Sequence, residues 1–515
     1  MRALYFVCSC AMLAVGLFGC GGGGGGGGGG STSQSQSSSP AGASTPTPTV
    51  PASAWTTSVS FGTTYGGFPP FGQSLASAND GQAYFVFGEY QNSTTTSLRL
   101  FHKPSVSPWE NGLTLAGPIT EVSANTRRYL GPVVRVDTTG NALALWTYQD
   151  TQDPSDRNFT SQLFFSRRDT VGGTWSAPVL LQTAASAYAL SPQLVMQPNG
   201  LAWAAWIERT IKDPFPGNDR FAVFAAKFDP ASGWASPEKV TGDLQWRLDA
   251  KITTDTQGNP RIIVAWNAGV SGPPDQSTLY AARRLPAGGW APLETLAVAV
   301  IAGGLSPDYS EYDMVVDAND NAVAVWKEYD GTRYLILTRH YTVAGGWEPT
   351  LGLQPSGPDS GFAPQITMDG NGNGFVAWHQ ARYQQSNNAA AYAIWVARFE
   401  KITGWTSLQF ISSPVFTTGE DSTFPKILCD QMGNAVAIWT KNDFVRGAIV
   451  RANYYSQTNG WGSDETISNG PGVSWRPELA VSSMGYATAV WWQAGHDPLM
   501  PNNFQAFSAS RAPAP

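Results

Sequence analysis

The sequence predicts an all-β chain folded as an eight-bladed β-propeller, with four antiparallel strands in each blade. Three observations carry this. A phrase closing on an aromatic residue recurs eight times, a second tryptophan phrase interleaves with it, and the two ends hold complementary pieces of one blade.

The recurring phrase is a polar turn followed by a short apolar run. It reads "NDGQAYFVF" (79–87), "DTTGNALALW" (137–146), "QPNGLAWAAW" (197–206) and "DTQGNPRIIVAW" (255–266) in the first half. The second half repeats it as "DANDNAVAVW" (317–326), "DGNGNGFVAW" (369–378), "DQMGNAVAIW" (430–439) and "SSMGYATAVW" (482–491). The closing aromatics, Phe87, Trp146, Trp206, Trp266, Trp326, Trp378, Trp439 and Trp491, are 59, 60, 60, 60, 52, 61 and 52 residues apart. Between them run "GGTWSAP" (172–178), "SGWASP" (232–237), "GGWAP" (288–292), "GGWEP" (345–349), "TGWTS" (403–407) and "NGWGS" (459–463).

Each repeat holds four strand signals. In the third, "SPQLVMQ" is strand A, Asn-Gly turns it into "LAWAAW" as strand B, and "RFAVFAAKF" is strand C. The turn "DPASG" then leads to "WASPEKV" as strand D. Along "AVAIW" (435–439), Ala435, Ala437 and Trp439 point one way and Val436 and Ile438 the other. Both faces are apolar, so the strand is covered on both sides, as in radially packed blades.

The eighth repeat supplies its C strand in "NNFQAFSASR" and has no D strand before Pro515. A D-type strand with Trp55 stands unaccompanied in "ASAWTTSVSFG" (52–62). An N-terminal strand completing the last blade closes the ring and removes its exposed edges. Seven blades is the fallback if the weaker first repeat packs apart.

Upstream of the propeller, residues 1–20 carry Arg2, an apolar run too short to span a bilayer comfortably, and Cys20. Leu17-Phe18-Gly19-Cys20 resembles the lipobox of bacterial lipoproteins. That resemblance implies cleavage before Cys20, acylation of its sulfur and amine, and a firm membrane anchor. By resemblance to enteric lipoprotein sorting, Gly21 at the following position favours the outer membrane over the inner one, on either face. Residues 21–52, ten glycines and a Ser/Thr/Pro-rich stretch, read as a tether without a core. The propeller is then expected over 53–515. Cys8 and Cys10 leave with the signal, so only Cys429 stays in the folded part and no disulfide forms there. The net charge of −7 gives no footprint for a phosphate backbone, so nucleic acid is not expected as a partner.

The C–D turn "RDTVGGTW" (168–175), and more weakly "FDPASGW" (228–234), resembles the Asp-box of sialidase-type (BNR) propellers. The resemblance implies a propeller fold. The sialidase catalytic set of three arginines, a Tyr–Glu pair and an acidic residue has no residue-by-residue counterpart in this chain.

The A–B and C–D turns are short and repetitive and share one face. The B–C and D–A loops vary and share the other, where function is expected. Two residues past each B-strand aromatic stand Glu89, Tyr148, Glu208, Ala268, Glu328, Gln380, Lys441 and Gln493. The carboxylates and amides among them are candidate ligand groups at the channel mouth. Before strand A stands an aromatic in most repeats: Tyr129, Tyr188, Trp246, Tyr312, Phe362, Phe424 and Trp475. Arg128, Arg247 and Arg476 lie beside three of them. Aromatic faces stack on sugar rings and arginine forks onto carboxylates. The turns "DANDN" (317–321) and "DGNGN" (369–373) have calcium-like spacing, but Asx-turn chemistry explains them equally well. No cofactor, metal site or catalytic motif is expected, and His102, His340, His379 and His496 have no metal spacing.

The expectation is a monomeric, lipid-anchored envelope module that binds a glycan or an envelope protein. The alternatives are a glycan-active hydrolase or lyase, or an assembly role in the envelope. A retaining glycosidase needs carboxyls about 5–5.5 Å apart, and Glu208 with Glu328 is the pair to inspect.

Overall fold

The computed structural model describes residues 54–513 except 64–70, 92–94, 106, 121–126, 151–159, 170–172, 185–187, 214–218, 246–247, 268–275, 286, 301–308, 356, 385–388, 413–420, 444–446, 470–471 and 495–503. The signal segment, Cys20 and the tether lie outside the described residues. So do Trp246, Arg247 and Ala268, and the side chain of Arg128.

All regular elements among the described residues are strands, arranged as eight antiparallel sheets that form a β-propeller. The A strands of blades 1 to 8 are Phe71–Ser77, Arg127–Val136, Ala189–Met196, Leu248–Thr254, Tyr312–Val316, Gly361–Met368, Ser422–Cys429 and Val473–Val481. Each touches the A strand of the next blade, and Val473–Val481 touches Phe71–Ser77, so the ring closes. Blade 8 takes its fourth strand, Val59–Thr63, from the start of the propeller. That strand pairs antiparallel with Phe504–Arg511. The Thr56 N–H donates to the Ser510 carbonyl at 2.8 Å, and Trp55 packs into the core between blades 7 and 8.

The core lies between blades because each B strand is apolar on both faces. In blade 7, Ala435, Ala437 and Trp439 pack against Phe375, Ala377 and Ile394 of blade 6. Val436 and Ile438 of the same strand pack the other way, against Leu479, Ala489 and Trp491 of blade 8. The period of two in a strand makes this division, and small and large residues alternate to fill the wedge. Seven of the eight closing aromatics are fully buried; Trp266 is half-buried.

The A–B turns share one chemistry. Asp137, Asp255, Asp317, Asp369 and Asp430 each accept the backbone N–H groups two and four residues on, at 2.8 to 2.9 Å. Each also accepts the amide of the asparagine four residues on. These Asx turns account for the Asp/Asn spacing at 317–321 and 369–373. The residue three positions past each Asp is in the left-handed region, and successive turns interlock. A Cβ on Gly433 (φ 83°) would sit 2.7 Å from Asp369 Oδ2 of the preceding blade. Gly485 stands in the same relation to Asp430.

The A strands hold a second recurrent device. In blades 2, 3, 6, 7 and 8 the pairing with strand B slips by a bulge, between Leu130/Val133, Leu190/Gln193, Phe362/Gln365, Thr423/Lys426 and Trp475/Glu478. At each bulge a residue with positive φ precedes a proline: Gly131, Ser191, Ala363, Phe424 and Arg476. Bulges re-aim side chains, and here they do so where the A strands enter from the variable loops.

Because Trp439 is fully buried between two blades, Trp439→Ala is expected to lower the unfolding free energy by about 3–5 kcal/mol. Urea titration followed by near-UV circular dichroism measures this. Gly433→Ala forces an unfavourable φ and a clash with Asp369, and is expected to cost more than about 1 kcal/mol in the same titration.

Candidate functional site

The residues two positions past the B-strand tryptophans lie at the loop-face end of the ring, but they turn inward. Positions i and i+2 of a strand share a face, which brings each acceptor beneath the indole of its own strand. Trp206 Nε1 donates to Glu208 at 2.9 Å, Trp326 Nε1 to Glu328 at 2.9 Å, and Trp378 Nε1 to Gln380 at 3.0 Å. Glu208 also accepts the Thr183 hydroxyl, and Glu328 accepts Tyr309 Oη at 3.1 Å. Glu208, Gln380 and Gln493 are buried. Expected as ligand groups, Glu208, Glu328 and Gln380 instead satisfy the only polar atom of a buried tryptophan. Among the described residues, the contacts of Glu208 and of Glu328 are separate and no contact joins the two.

Glu89 departs from this pattern. Its strand closes on Phe87, which has no side-chain N–H to give, and among the described residues the Glu89 carboxylate has only long contacts. These are Ser97 Oγ at 3.5 Å and Arg99 Nε at 3.7 Å. Burial pushes its pKa up.

The aromatics expected before strand A separate into two groups. Tyr129 and Tyr312, expected to face ligand, are core residues. Tyr129 lies against Tyr148, ring centroids 5.7 Å apart, and burial pushes its phenol up to about 12. Tyr312 packs among Leu296, Met314 and Trp326, with Lys251 Nζ 5.5 Å over its ring. Phe424 and Trp475, by contrast, are 57% and 41% exposed. Trp475 meets Phe504 edge-on at 5.9 Å, and the Arg476 carbonyl accepts Gln73 Nε2 at 2.7 Å across the seam between blades 8 and 1.

Phe424 ends a chain of rings that crosses blades 5, 6 and 7. Tyr329 and Tyr334 are 5.1 Å apart, Tyr334 and Phe362 5.3 Å, Phe362 and His379 5.5 Å, and His379 and Phe424 5.3 Å. Tyr392 packs edge-on against both Phe362 and His379. All six lie at the loop-face ends of their strands. Two hairpins, Ala322–Tyr329 with Tyr334–Thr342 and Gly374–Gln384 with Ala389–Glu400, supply Tyr329, Tyr334, His379 and Tyr392. The A-strand bulges supply Phe362 and Phe424. Phe424 holds a φ of 53°, a conformation that a bulky residue adopts at a cost and that concentrates at functional sites.

The charge beneath these rings is internally balanced. Lys327 Nζ sits 4.9 Å over Tyr334 and 5.7 Å over Phe362, and pairs with Glu311 at 3.2 Å. Glu311 also accepts the Ala363 N–H at 2.7 Å, tying blade 5 to blade 6. His379 is buried, and its Nδ1 accepts the Phe424 N–H at 3.4 Å. Burial, and then the charge of Lys327, pull its pKa down to about 3. Lys327 and His379 therefore bring no net charge to the aromatic shelf, and the Asp421 carboxylate stands at its edge, accepting the Tyr392 N–H at 2.9 Å.

Phe362 and Phe424 were within reach of sequence reading as members of the aromatic series. Tyr329, Tyr334, His379 and Tyr392 were missed. Their signal was aromatic residues one to three positions beyond the B-strand tryptophan and at the start of strand C.

No family model matches the sequence, and no curated protein matches it. Several solved structures are similar to it. An α-L-arabinanase from Penicillium chrysogenum, complexed with arabinobiose, is 14% identical over 62% of this chain and 92% of its own, with a TM-score of 0.37. A protein of unknown function from Dyadobacter fermentans is 10% identical over 90% of this chain and 99% of its own, with a TM-score of 0.40. Puromycin hydrolase is 13% identical over 84% of this chain and 59% of its own, with a TM-score of 0.47. No residue role or activity is taken from these likenesses.

An unfolded histidine titrates near pH 6.5 and His379 in the folded chain near 3, so between these values the unfolded state binds a proton that the folded state does not. The contribution of His379 to stability is fully present above about pH 6.5 and is lost as pH drops, by up to about 1.4 kcal/mol per unit. Between pH 7 and pH 5 the native chain is expected to lose up to about 2 kcal/mol more than His379→Phe, measured by urea unfolding at both pH values.

Proposed function

We propose that this chain is a carbohydrate-binding propeller of the bacterial cell envelope, anchored through lipid on Cys20, with its ligand lying on the shelf of blades 5 to 7. The observation that carries this reading is Phe424. It is a large ring held in a left-handed backbone conformation, over half exposed, at the open end of a continuous row of aromatics. In the equivalent places blades 2, 3, 6 and 8 have Gly131, Ser191, Ala363 and Arg476, of which Gly131 alone adopts that backbone without strain. Placing phenylalanine there costs stability and leaves apolar surface in water. A ligand that stacks on the ring accounts for both.

The shelf offers no free cation to an acidic ligand, because Lys327 is neutralised by Glu311, His379 is neutral, and the charge at its edge is the Asp421 carboxylate. A neutral glycan, whose pyranose faces are apolar and whose edges carry hydroxyls, fits it better than an acidic one. The hydrolase alternative draws no support from Glu208 and Glu328, since each carboxylate is held by the tryptophan of its own strand.

The test is a glycan array probed with the full chain in detergent, followed by calorimetry on any hit. Phe424→Gly is expected to weaken binding at least tenfold, about 1.4 kcal/mol, while leaving the unfolding free energy within about 1 kcal/mol of the native value. A hit unaffected by Phe424→Gly moves the ligand off the shelf. A clean array from folded protein sinks the glycan reading for the sugars displayed. The anchor has its own check: Cys20→Ser is expected to shift the chain from the membrane pellet to the soluble fraction.

A further inference from the structure

A second site lies at the seam where the ring closes, away from the shelf. A cavity of about 700 Å³ opens between the closing strand Val59–Thr63 of blade 8 and the outer part of blade 1. Small-molecule sites are commonly of this size. Phe61, Phe101 and Trp109 supply its apolar wall, with Phe61 and Trp109 stacked at 4.2 Å. Glu89, Gln91 and Asn111 bring polar groups to the same cavity.

The repeat itself explains why Glu89 is available. In blades 3, 5 and 6 the equivalent Glu208, Glu328 and Gln380 accept the indole N–H of their own strand. In blade 1 the indole is replaced by Phe87, which has no hydrogen to donate, so the same carboxylate keeps its acceptor capacity and lines the cavity. It follows Phe85 and Phe87 along the face that packs on blade 8.

The cations and anions around it set the ligand's charge. Arg99 is held by the Gly112 carbonyl at 2.8 Å and Thr114 Oγ1 at 3.1 Å, and its guanidinium lies 5.8 Å over Phe101 and 3.7 Å from Glu89. A second cation at Glu89 would meet Arg99. The other carboxylate, Glu110, is exposed and bound to His102 at 2.9 Å. What remains is an aromatic wall facing one half-neutralised carboxylate and two amides.

We propose that the seam cavity is a binding site for a single neutral sugar ring, with one apolar face against the aromatic wall and adjacent hydroxyls donated to the Glu89 carboxylate. The site does not rest on the shelf reading and fails or stands separately from it.

Saturation-transfer NMR on the full chain in detergent, with the methyl glycosides of glucose, galactose, mannose and N-acetylglucosamine, tests it. At least one glycoside is expected to receive transfer from the native chain and from Phe424→Gly alike. Glu89→Ala is expected to weaken that binding at least tenfold. Asn111→Trp, made at an exposed position that leaves the core intact, is expected to block the cavity and do the same. Absence of transfer from all four glycosides overturns the proposal, as does transfer that survives both variants when each is made together with Phe424→Gly, so that the shelf does not contribute. Transfer lost only in Phe424→Gly assigns the sugar to the shelf and overturns the seam site. Choline binding that is blocked by Asn111→Trp, with no glycoside binding, overturns the neutral-sugar assignment.

Discussion

Everything in this molecule depends on strand B having no wet face. A strand in an ordinary antiparallel sheet can leave one side to solvent; here both sides must be dry, because a blade lies on each. That requirement turns the inner B-strand positions over to alanine, valine and isoleucine and places a tryptophan or phenylalanine at the wide end of the wedge. A buried indole then brings its own difficulty, an N–H with no water to meet it. Blades 3, 5 and 6 solve this within the strand, through Glu208, Glu328 and Gln380. Blade 4 solves it through the Gln245 carbonyl, which accepts Trp266 Nε1 at 2.8 Å.

Function, on this view, enters where the repeat is broken. Phe87 removes an indole and frees a carboxylate. Phe424 occupies a backbone position that suits glycine and turns an aromatic ring to solvent. In both cases the surrounding blade is otherwise regular, so the departure is held rigidly. Rigid presentation of a few exceptional side chains on a repeated scaffold is how a propeller with no helix or lid among its described residues can form specific contacts.

The architecture was legible because its determinants are local and periodic: tryptophans at a near-constant interval, Asx turns before them, and a strand missing at one end and present at the other. The candidate site was less so. Glu208 and Glu328 read as a rim, because the pattern places them at strand ends but does not say that the i, i+2 geometry folds them under the indole. Tyr129, Tyr312 and Phe424 looked equivalent when aligned on their aromatic character. Aligned instead on the proline that follows the bulge, Phe424 falls with Gly131, Ser191, Ala363 and Arg476, and the other two do not. The discriminating fact was a backbone slip of one residue, which no hydrophobic pattern reports. His379 was set aside for lacking metal spacing, and its role as the neutral centre of an aromatic row depends on residues from three blades.

Ring closure makes the last step of assembly a long-distance one. Thr56 and Ser510, joined at the seam, lie 454 residues apart. Bringing such ends together has an entropic cost on the order of 5 kcal/mol from chain length alone. Seven blades lower it by lining up in sequence before the eighth is finished. Until then the outer edge of Phe504–Arg511 is an unfilled strand position with its hydrogen-bonding groups bare. Any chain carrying the sequence of Val59–Thr63 fits that position, including a second copy of this one. Strand exchange between copies would require a chain concentration above the effective concentration of the chain's own first strand, and below it the ring closes on itself.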